Sequence, residues 1–508
     1  MEAGEVRLMS ARALAAAIKE GQATSTAVVH AHIERLCDAA ALNALAVDRF
    51  EAALAEAAAV DRRVAATPIE ERHSLPPLLG VPCTIKESIA LAGMPNCAGV
   101  VHRRGVRAER SATAAARLLE AGAIPLGVTN TSELTMWIES ENRVYGRTRN
   151  AYDPRRTAGG SSGGEGAAIG SGGSPFGIGS DMGGSIRLPA FFNGVFGHKP
   201  TPGIVPNTGQ WPFDPGESAR LVGVGPLARR AEDLMAVLRL IAGPDGEDET
   251  AREVALGDPD SVDLAGLEVV VATRAWLTPM RPAALRARDR AARALVDAGA
   301  RLRVESMPGL RRAMELYLAA LEEWSDGTAA DLLTPEGDPA LRMRDLWPRR
   351  RDHTPATALL LAGELSGRVL PWRRGRRLVA AVESLRAEVL GALGDGVLLH
   401  PPYPGPVPRH RRTVGRPWVL APSAAFNLLG LPATEIPLGL DREGMPTGVQ
   451  AIAAPDRDHL TIAVAQALER CFGGWTPSPR WERSPSGPGR RHPASTSSSA
   501  SGPRWTSR

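Results

Sequence analysis

The chain has 508 residues, which typical domain sizes would divide into two to four units, although one large α/β unit is also allowed. Apolar residues make up 43% and charged residues 23%, which excludes a wholly disordered or fibrous chain. A net charge of +4 raises the question of a nucleic-acid or membrane-surface partner.

The positive charge is concentrated at the end of the chain. Residues 480–508 contain six arginines and one glutamate, so they carry +5 and the rest of the chain carries −1. The body of the protein therefore has no basic field, and we expect no nucleic-acid partner. Serine, proline, glycine and arginine dominate residues 477–508, where we expect a disordered tail.

Lysine is rare. Of the 60 basic residues other than histidine, only Lys19, Lys86 and Lys199 are lysine, and the other 57 are arginine. A GC-rich genome would replace lysine by arginine wherever either side chain serves. A lysine that remains therefore indicates a site that arginine cannot serve, such as one that needs a neutral amine.

The cysteines and the apolar runs indicate the compartment. The chain has four widely spaced cysteines with no CxxC pair, which is typical of a reducing compartment. We find no signal-peptide pattern at the start and no run of 18 apolar residues, so we expect a cytoplasmic protein without a stable membrane anchor.

Taken in chain order, the elements predict an α/β core. Residues 1–65 read as helices, the first capped by Ser10 and the second by Thr24 or Ser25. A strand, a helix and a buried strand follow in "GVPCTIKESI", "SATAAARLLEAGAI" and "IPLGVTN", which favours a largely parallel sheet. Residues 310–395 are mostly amphipathic helix, and closing strands and a last helix come after them.

The informative segment is rich in glycine and serine and covers residues 158–201. It contains neither GxxxxGK[ST] nor a GxGxxG that opens a helix, so it is not a phosphate loop. Residues 159–163 match G-x-S-x-G, which would make Ser161 the nucleophile of an α/β-hydrolase elbow. That reading also needs a downstream histidine, and the candidates His400 and His410 lie in proline- and arginine-rich sequence.

A third reading uses two serines and a lysine. Lys86 in "GVPCTIKES", Ser161 in "GGSSGG" and Ser185 in "SDMGGSIRLPA" match, position by position, the Ser–cis-Ser–Lys triad of the amidase signature family, which this sequence resembles. Glu165, "SELTMWIESENRVYG" and "HLTIAVAQALERCFGGW" are similar to the fatty acid amide hydrolase type 2 branch. The resemblance covers about residues 8–240 and 395–476.

The resemblance implies one α/β/α domain over residues 66–476, with a mixed, mostly parallel central sheet covered by helices. The helices of residues 1–65 would pack on this core, and residues 310–395 would form a variable segment that could cap a substrate channel. The implied activity is hydrolysis of a carboxylic amide, with a fatty acyl amide as one candidate substrate. The family uses no cofactor and no metal, and we expect a small-molecule amide as the partner, with a homodimer as one option.

Each triad residue would have its own role. Ser185 would be the nucleophile that forms an acyl-enzyme, and Ser161 would relay a proton between Ser185 and Lys86. A free lysine is almost entirely protonated at pH 7, so Lys86 must lie in a dry site that lowers its pKa to about 7–8.

The resemblance also assigns supporting residues. The backbone N–H groups of Met182, Gly183, Gly184 and Ser185 would form the oxyanion hole, with Ser162 donating a supporting hydrogen bond. Thr135 and Met136 would line the acyl side of the cleft, although core packing explains them equally well. We interpret Asp181 and Arg187 as structural braces of the nucleophile loop and Lys199 as structural.

Alternative functions remain open at this point. An amidotransferase subunit of the same family would pass ammonia to acyl-tRNA in a complex, but its typical "DEFAMG" is here "SELTMW". A non-catalytic binding protein would be expected to have lost one triad residue. Residues 358–377 could form an interfacial helix that takes substrate from a membrane, or simply a solvated arginine-rich helix end.

Overall fold

The computed structural model describes residues 1–482 apart from residues 214–215, 274, 276–277, 336, 340, 343, 345–351 and 366–374. Two sequence-based expectations therefore fall wholly or partly outside the described residues. These are the tail beyond residue 482 and the middle of the proposed interfacial helix at 358–377.

A large mixed sheet forms the centre of the molecule. The strands of the described residues are β1 (Leu45–Asp48), β2 (Pro82–Lys86), β3 (Ile124–Thr129), β4 (Glu141–Asn142), β5 (Gly146–Arg147), β6 (Phe176–Asp181), β7 (Phe196–Lys199), β8 (Gly223–Ala228), β9 (Glu268–Thr273), β10 (Arg301–Ser306), β11 (Val397–His400), β12 (Ala433–Leu440) and β13 (Pro446–Ile452). Eleven of them form the sheet in the order β1-β3-β2-β6-β8-β7-β12-β13-β11-β9-β10, while β4 and β5 form a separate hairpin.

Parallel and antiparallel pairs occupy different parts of the sheet. The blocks β3-β2-β6 and β11-β9-β10 are parallel, as predicted for a strand–helix–strand chain. The middle of the sheet, from β6 through β8, β7, β12 and β13 to β11, is antiparallel. One reason is that only residues 441–445 join β12 to β13, a connection long enough for a hairpin and too short for a parallel crossover.

Helices cover both faces of the sheet. They are α1 (Ala3–Val6), α2 (Ala11–Lys19), α3 (Ser25–Asp38), α4 (Phe50–Ala66), α5 (Thr113–Glu120), α6 (Gly163–Gly170), α7 (Arg187–Phe192), α8 (Glu232–Ile241), α9 (Pro282–Asp297), α10 (Ala313–Trp324), α11 (Ala329–Leu333), α12 (Pro355–Leu365), α13 (Gly375–Leu393), α14 (Ala421–Leu428), α15 (Asp458–Phe472) and α16 (Pro479–Glu482). Ser10 caps α2 and Thr24 caps α3, as predicted, by accepting hydrogen bonds from backbone N–H groups. Among the described residues, no helix combines the length and the apolar character that a bilayer span requires.

Strand β9 shows how the sheet is buried on both sides. Residues 269–272 are all apolar, and their side chains point alternately to the two faces of the sheet, as successive side chains of a strand do. Val269 and Val271 pack in the core cluster that contains residues of α2, α5, α8, α9 and α15. Val270 and Ala272 pack in the cluster formed with α10, α13 and α14. The predicted three-layered α/β architecture is confirmed.

Candidate active site

The candidate site lies where two neighbouring parallel strands end. Lys86 is the last residue of β2, and Ser180 and Asp181 close β6 beside it. The glycine- and serine-rich loops that follow Ala158 and Asp181 meet at these strand ends. Carboxyl ends of parallel strands are where loops gather to form sites in α/β proteins.

Lys86 is fully buried and points at two hydroxyl groups. Its Nζ donates hydrogen bonds to Ser161 Oγ at 2.7 Å and to Ser180 Oγ at 2.9 Å. Burial lowers the pKa of Lys86 from 10.5 to about 7, although the nearby carboxylates of Asp181 and Glu165 act in the opposite direction. A large fraction of this lysine is therefore a neutral amine near pH 7, able to take a proton.

Ser161 is joined to Gly160 by a cis peptide bond, and hydrogen bonds to its backbone hold it in place. A side chain at Gly160 would come within 2.6 Å of the Trp137 carbonyl oxygen, so glycine is required for this close approach. The carbonyl oxygen of Ser161 accepts hydrogen bonds at 2.9 Å from the hydroxyl groups of Thr131 and Ser140. These contacts fix the serine while its Oγ faces Lys86.

Ser185 lies on the adjoining loop and is half-buried. Its carbonyl oxygen accepts a hydrogen bond from the Ser162 N–H at 3.2 Å. Ser162 Oγ in turn donates to the Ser180 carbonyl oxygen at 3.3 Å. Through these two hydrogen bonds the buried Ser162 joins the loops of Ser161 and Ser185 to β6. The three predicted triad residues therefore lie on segments that meet at the ends of β2 and β6.

Asp181 and Arg187 brace the loop that carries Ser185. The Arg187 guanidinium donates to both carboxylate oxygens of Asp181, at 3.0 and 3.1 Å, and neither side chain is exposed. The same carboxylate accepts the N–H groups of Gly184 at 2.7 Å and Ile186 at 3.0 Å. Burial alone would raise the pKa of Asp181, but Arg187 outweighs it and holds that pKa below its usual range. The interpretation of both residues as braces is confirmed by these contacts.

The brace changes the predicted oxyanion hole. The Gly184 N–H already donates to Asp181, because the loop bends back over that carboxylate, so this donor is removed from the predicted set. Within the described part of the chain, the N–H groups of Met182, Gly183 and Ser185 have no protein acceptor. Three of the four predicted donors remain available to an incoming oxygen atom.

Glu165 is a buried carboxyl group behind Lys86. It lies on α6, and its two oxygens accept hydrogen bonds from Thr84 at 2.6 Å and Thr129 at 2.8 Å, on β2 and β3. Burial raises the pKa of Glu165 to about 8, although both threonine hydroxyls act against that rise. Its carboxyl group contributes to the charge balance that sets the protonation of Lys86.

Thr135 and Met136 lie on the segment that packs against Gly160. Thr135 is half-buried with a left-handed backbone, and Met136 is exposed. The preceding Glu133 accepts a hydrogen bond from the Thr354 N–H at 2.7 Å and contacts His353 Nδ1 at 2.7 Å. The contacts with residues 353–354 tie this segment to the start of α12, a connection that the sequence does not indicate.

The three lysines have different surroundings. Lys199 is buried like Lys86, and burial lowers its pKa to about 7, but its Nζ donates to the neighbouring Pro200 carbonyl oxygen at 2.9 Å. Lys19 is half-buried and donates to the Leu75 carbonyl oxygen at 2.8 Å. Only Lys86 contacts a serine of the glycine-rich loops. Ser180, its second partner, was missed by sequence reasoning, and the only signal was a polar residue in a buried strand.

Comparisons with known proteins identify the family of this chain. The family model described as Amidase matches residues 27–462. Fatty-acid amide hydrolase 2-A from Danio rerio is 40% identical over 490 residues, covering 92% of this chain and 89% of that protein. A glutamyl-tRNA(Gln) amidotransferase subunit from Deinococcus deserti is 33% identical over 485 residues, covering 91% of this chain and 96% of that protein.

A solved structure has the same architecture. The native peptide amidase from Stenotrophomonas maltophilia superimposes with a TM-score of 0.72 at 25% identity, covering 92% of this chain and 98% of that one. The family match spans most of the chain. The chain belongs to the amidase family and is a hydrolase that acts on amide C–N bonds.

Proposed function

We propose that this hydrolase cleaves its amide through an acyl-enzyme on Ser185, with Lys86 as the base and Ser161 as the proton relay. The observation that carries the proposal is the 2.7 Å contact between the fully buried Lys86 Nζ and Ser161 Oγ. The loop of Ser161 is joined to that of Ser185 through the Ser162 N–H. A neutral amine, a hydroxyl group in contact with it and a half-buried serine on the adjoining loop are the groups that such a proton relay requires.

The reaction follows from these groups. Neutral Lys86 accepts the proton of Ser161, and Ser161 in turn takes the proton of Ser185. At the same time the Ser185 Oγ forms a bond to the amide carbonyl carbon. Negative charge then develops on the carbonyl oxygen, where the N–H groups of Met182, Gly183 and Ser185 can stabilise it. The C–N bond breaks as the proton returns through Ser161 to the leaving nitrogen. Water cleaves the resulting ester by the same path, releasing the acid and restoring Ser185.

The α/β-hydrolase elbow with Ser161 as nucleophile is less well supported. The Oγ of Ser161 contacts Lys86, whereas the nucleophile of a hydrolase elbow would donate its hydrogen bond to a histidine. His400 Nδ1 contacts the carbonyl oxygen of Pro401, and His410 Nε2 contacts that of Pro154. Burial lowers the pKa of His400 to about 3, which leaves it a very weak base.

An amidotransferase subunit is the second alternative. The segment that differs from its typical motif, "SELTMW" at 132–137, is tied here to the rest of this chain. Glu133 binds the start of α12, and Trp137 Nε1 donates to Thr413 Oγ1 at 2.9 Å. Greater identity to the fatty-acid amide hydrolase than to the amidotransferase subunit favours water as the acceptor.

We also propose that the substrate is a fatty acyl amide and that helices α10–α12 cap its binding channel. The name of the relative from Danio rerio suggests the substrate class, and exposed apolar side chains on two segments that pack with Trp137 are consistent with it. Ala356 of α12 and Val419 share a core cluster with Trp137. Leu359 and Trp418, from the same two segments as Ala356 and Val419, are each 49% exposed. Met136, which precedes Trp137 in the chain, is also exposed. Such surface can hold an acyl chain.

A fluorophosphonate probe tests the nucleophile. We expect it to label Ser185, because the serine is activated through Ser161 and Lys86, and we expect Ser185→Ala to abolish both labelling and amide hydrolysis. Peptide mapping by mass spectrometry identifies the labelled serine, and circular dichroism checks that the variant is folded. Labelling of Ser161 that persists in Ser185→Ala would favour the hydrolase elbow instead.

A series of amides with acyl groups from acetyl to oleoyl tests the substrate proposal. If apolar surface on α12 holds the acyl chain, kcat/KM should rise with chain length by up to about fourfold per added methylene, until the chain fills the channel. Matched ethanolamides and primary amides separate the acyl preference from the amine preference. A flat response, or a preference for acetyl, would contradict a fatty acyl substrate while leaving the amidase chemistry in place.

A further inference from the structure

Tyr317 of α10 reaches the loop that precedes the nucleophile. Its hydroxyl group donates a hydrogen bond to the Met182 carbonyl oxygen at 3.2 Å, and the side chain is only 7% exposed. The ring also lies over the next residue, because a Cβ atom at Gly183 would be 2.9 Å from the Tyr317 hydroxyl oxygen. These contacts link a helix of residues 310–395 to a peptide group of the proposed oxyanion hole.

The bonded carbonyl and the Gly183 N–H belong to the same peptide group. A peptide is planar and trans here, so its C=O and N–H point in opposite directions and cannot turn independently. A hydrogen bond that fixes the Met182 carbonyl therefore also fixes the direction of the Gly183 N–H. Because hydrogen bonds to the two ends of one peptide strengthen each other, the tyrosine also makes this N–H a better donor.

The neighbouring peptide groups are held by other side chains. Asn427 Nδ2 donates to the Asp181 carbonyl oxygen at 3.0 Å, which fixes the Met182 N–H in the same way. The Gly184 N–H is bound by the Asp181 carboxylate. The peptide between Met182 and Gly183 lies between these two anchors, and among the described residues Tyr317 supplies the hydrogen bond to its carbonyl oxygen.

We infer that Tyr317 is a positioning residue that aims the Gly183 N–H at the carbonyl oxygen of the reacting amide. This inference rests on the proposed function, because it requires an oxyanion at that loop. The Tyr317 hydroxyl keeps its proton near neutral pH and so remains a donor, since burial raises the pKa of this phenol above its ordinary value. The tyrosine does not touch the reacting atoms itself, and its effect passes through the Met182–Gly183 peptide.

Tyr317→Phe tests the inference, because it keeps the ring over Gly183 and removes only the hydroxyl. Removal of an oxyanion donor costs about 10²–10³ in rate, so we expect loss of its orientation to lower kcat by about five- to twentyfold. We expect KM to change less than about twofold, since the ground-state amide gains little from this N–H. Affinity for a trifluoromethyl ketone analogue, which becomes an oxyanion when Ser185 adds to it, should fall by the same factor as kcat.

Tyr152→Phe is the matched control. The Tyr152 hydroxyl donates to the Thr476 carbonyl oxygen at 2.6 Å, so the variant, like Tyr317→Phe, loses one partly buried hydrogen bond to a backbone carbonyl. We expect this control to retain kcat and ketone affinity, and thermal unfolding of both variants records any general loss of stability.

The outcomes separate the inference from the proposed function. If Tyr317→Phe keeps kcat and ketone affinity within about twofold of the unchanged protein while Ser185→Ala is inactive, Tyr317 has no positioning role. A raised KM with unchanged ketone affinity would assign Tyr317 to substrate binding and would likewise overturn the inference. If the unchanged protein neither hydrolyses amides nor is labelled at Ser185, the proposed function fails and the inference fails with it.

Discussion

Replacing Lys86 by methionine is expected to abolish turnover and, at the same time, to make the folded protein more stable. Methionine has a similar volume and no amine, so Ser161 loses the group that accepts its proton. A general base contributes about 10²–10⁴ to rate, and we expect a loss of kcat/KM at the upper end of this range because the relay fails as a unit. In the unchanged protein, kcat/KM should rise with pH through about 7, where Lys86 becomes neutral.

The stability gain follows from the direction of the pKa shift. Burial lowers the pKa of Lys86 from 10.5 to about 7, so between these values the unfolded chain binds a proton that the folded protein lacks. This residue therefore destabilises the fold below pH 10.5, and the full effect is reached below about pH 7. After subtracting the hydrogen bonds to Ser161 and Ser180, we expect Lys86→Met to gain about 2 kcal/mol at pH 7 and less at pH 9–10.

Urea unfolding at pH 7 and pH 9.5, with amide hydrolysis measured in parallel, checks both parts of this prediction. Lys19→Met is the matched control, because Lys19 is half-buried and donates to the Leu75 carbonyl oxygen away from the triad. The control should retain activity and show no comparable gain in stability. Residual activity in Lys86→Met within tenfold of the unchanged protein would rule out Lys86 as the base.

Among the variants proposed for this protein, Arg187→Met is expected to lower the free energy of unfolding most. It leaves the Asp181 carboxylate buried without its cation, and it removes hydrogen bonds to the Ser423 carbonyl oxygen and to the side chains of Gln450 and Asn427. Breaking a buried ion pair by removing one partner costs about 3–5 kcal/mol. Activity should also fall, because Asp181 and Arg187 together hold the loop of Ser185.

Chemical denaturation gives the free energy of unfolding of Arg187→Met. The double variant Asp181→Asn with Arg187→Met serves as the first control, and it should be less damaged than Arg187→Met alone if the unpaired charge dominates the loss. Arg110→Met is the second, since Arg110 pairs with Glu247 on the surface and its removal should leave the unfolding midpoint unchanged. A loss below about 1 kcal/mol in Arg187→Met would contradict a bracing role.

Local pattern was enough to predict much of the fold. The caps of α2 and α3 depend on residues three positions apart, and the predicted strand, helix and strand that became β2, α5 and β3 depend on local periodicity, so these features can be read from short segments. The resemblance to the amidase signature family, supported by the scarcity of lysine, led to Lys86, Ser161 and Ser185, whose loops and strand the structure brings together.

Other features depend on contacts between distant parts of the chain. Tyr317 is 135 residues from Met182, and Glu133 is about 220 residues from the start of α12. Neither contact leaves a pattern in the local sequence, because the partners become neighbours only when the helices of residues 310–395 pack on the sheet. The antiparallel pairing of β12 with β7 was missed for the same reason, whereas the bond from Gly184 to Asp181 spans only three residues and was missed although it is local.

The burial of two lysines also determines how the protein can be handled chemically. Lys86 and Lys199 are fully enclosed, which leaves Lys19, at the end of α2, as the single lysine side chain with access to solvent. Among the lysine side chains, reagents that acylate amines would therefore couple to Lys19, and a dye attached through it would have a defined position. Burial also protects Lys86, the proposed base, because a reagent in solution meets Lys19 long before it can reach Lys86.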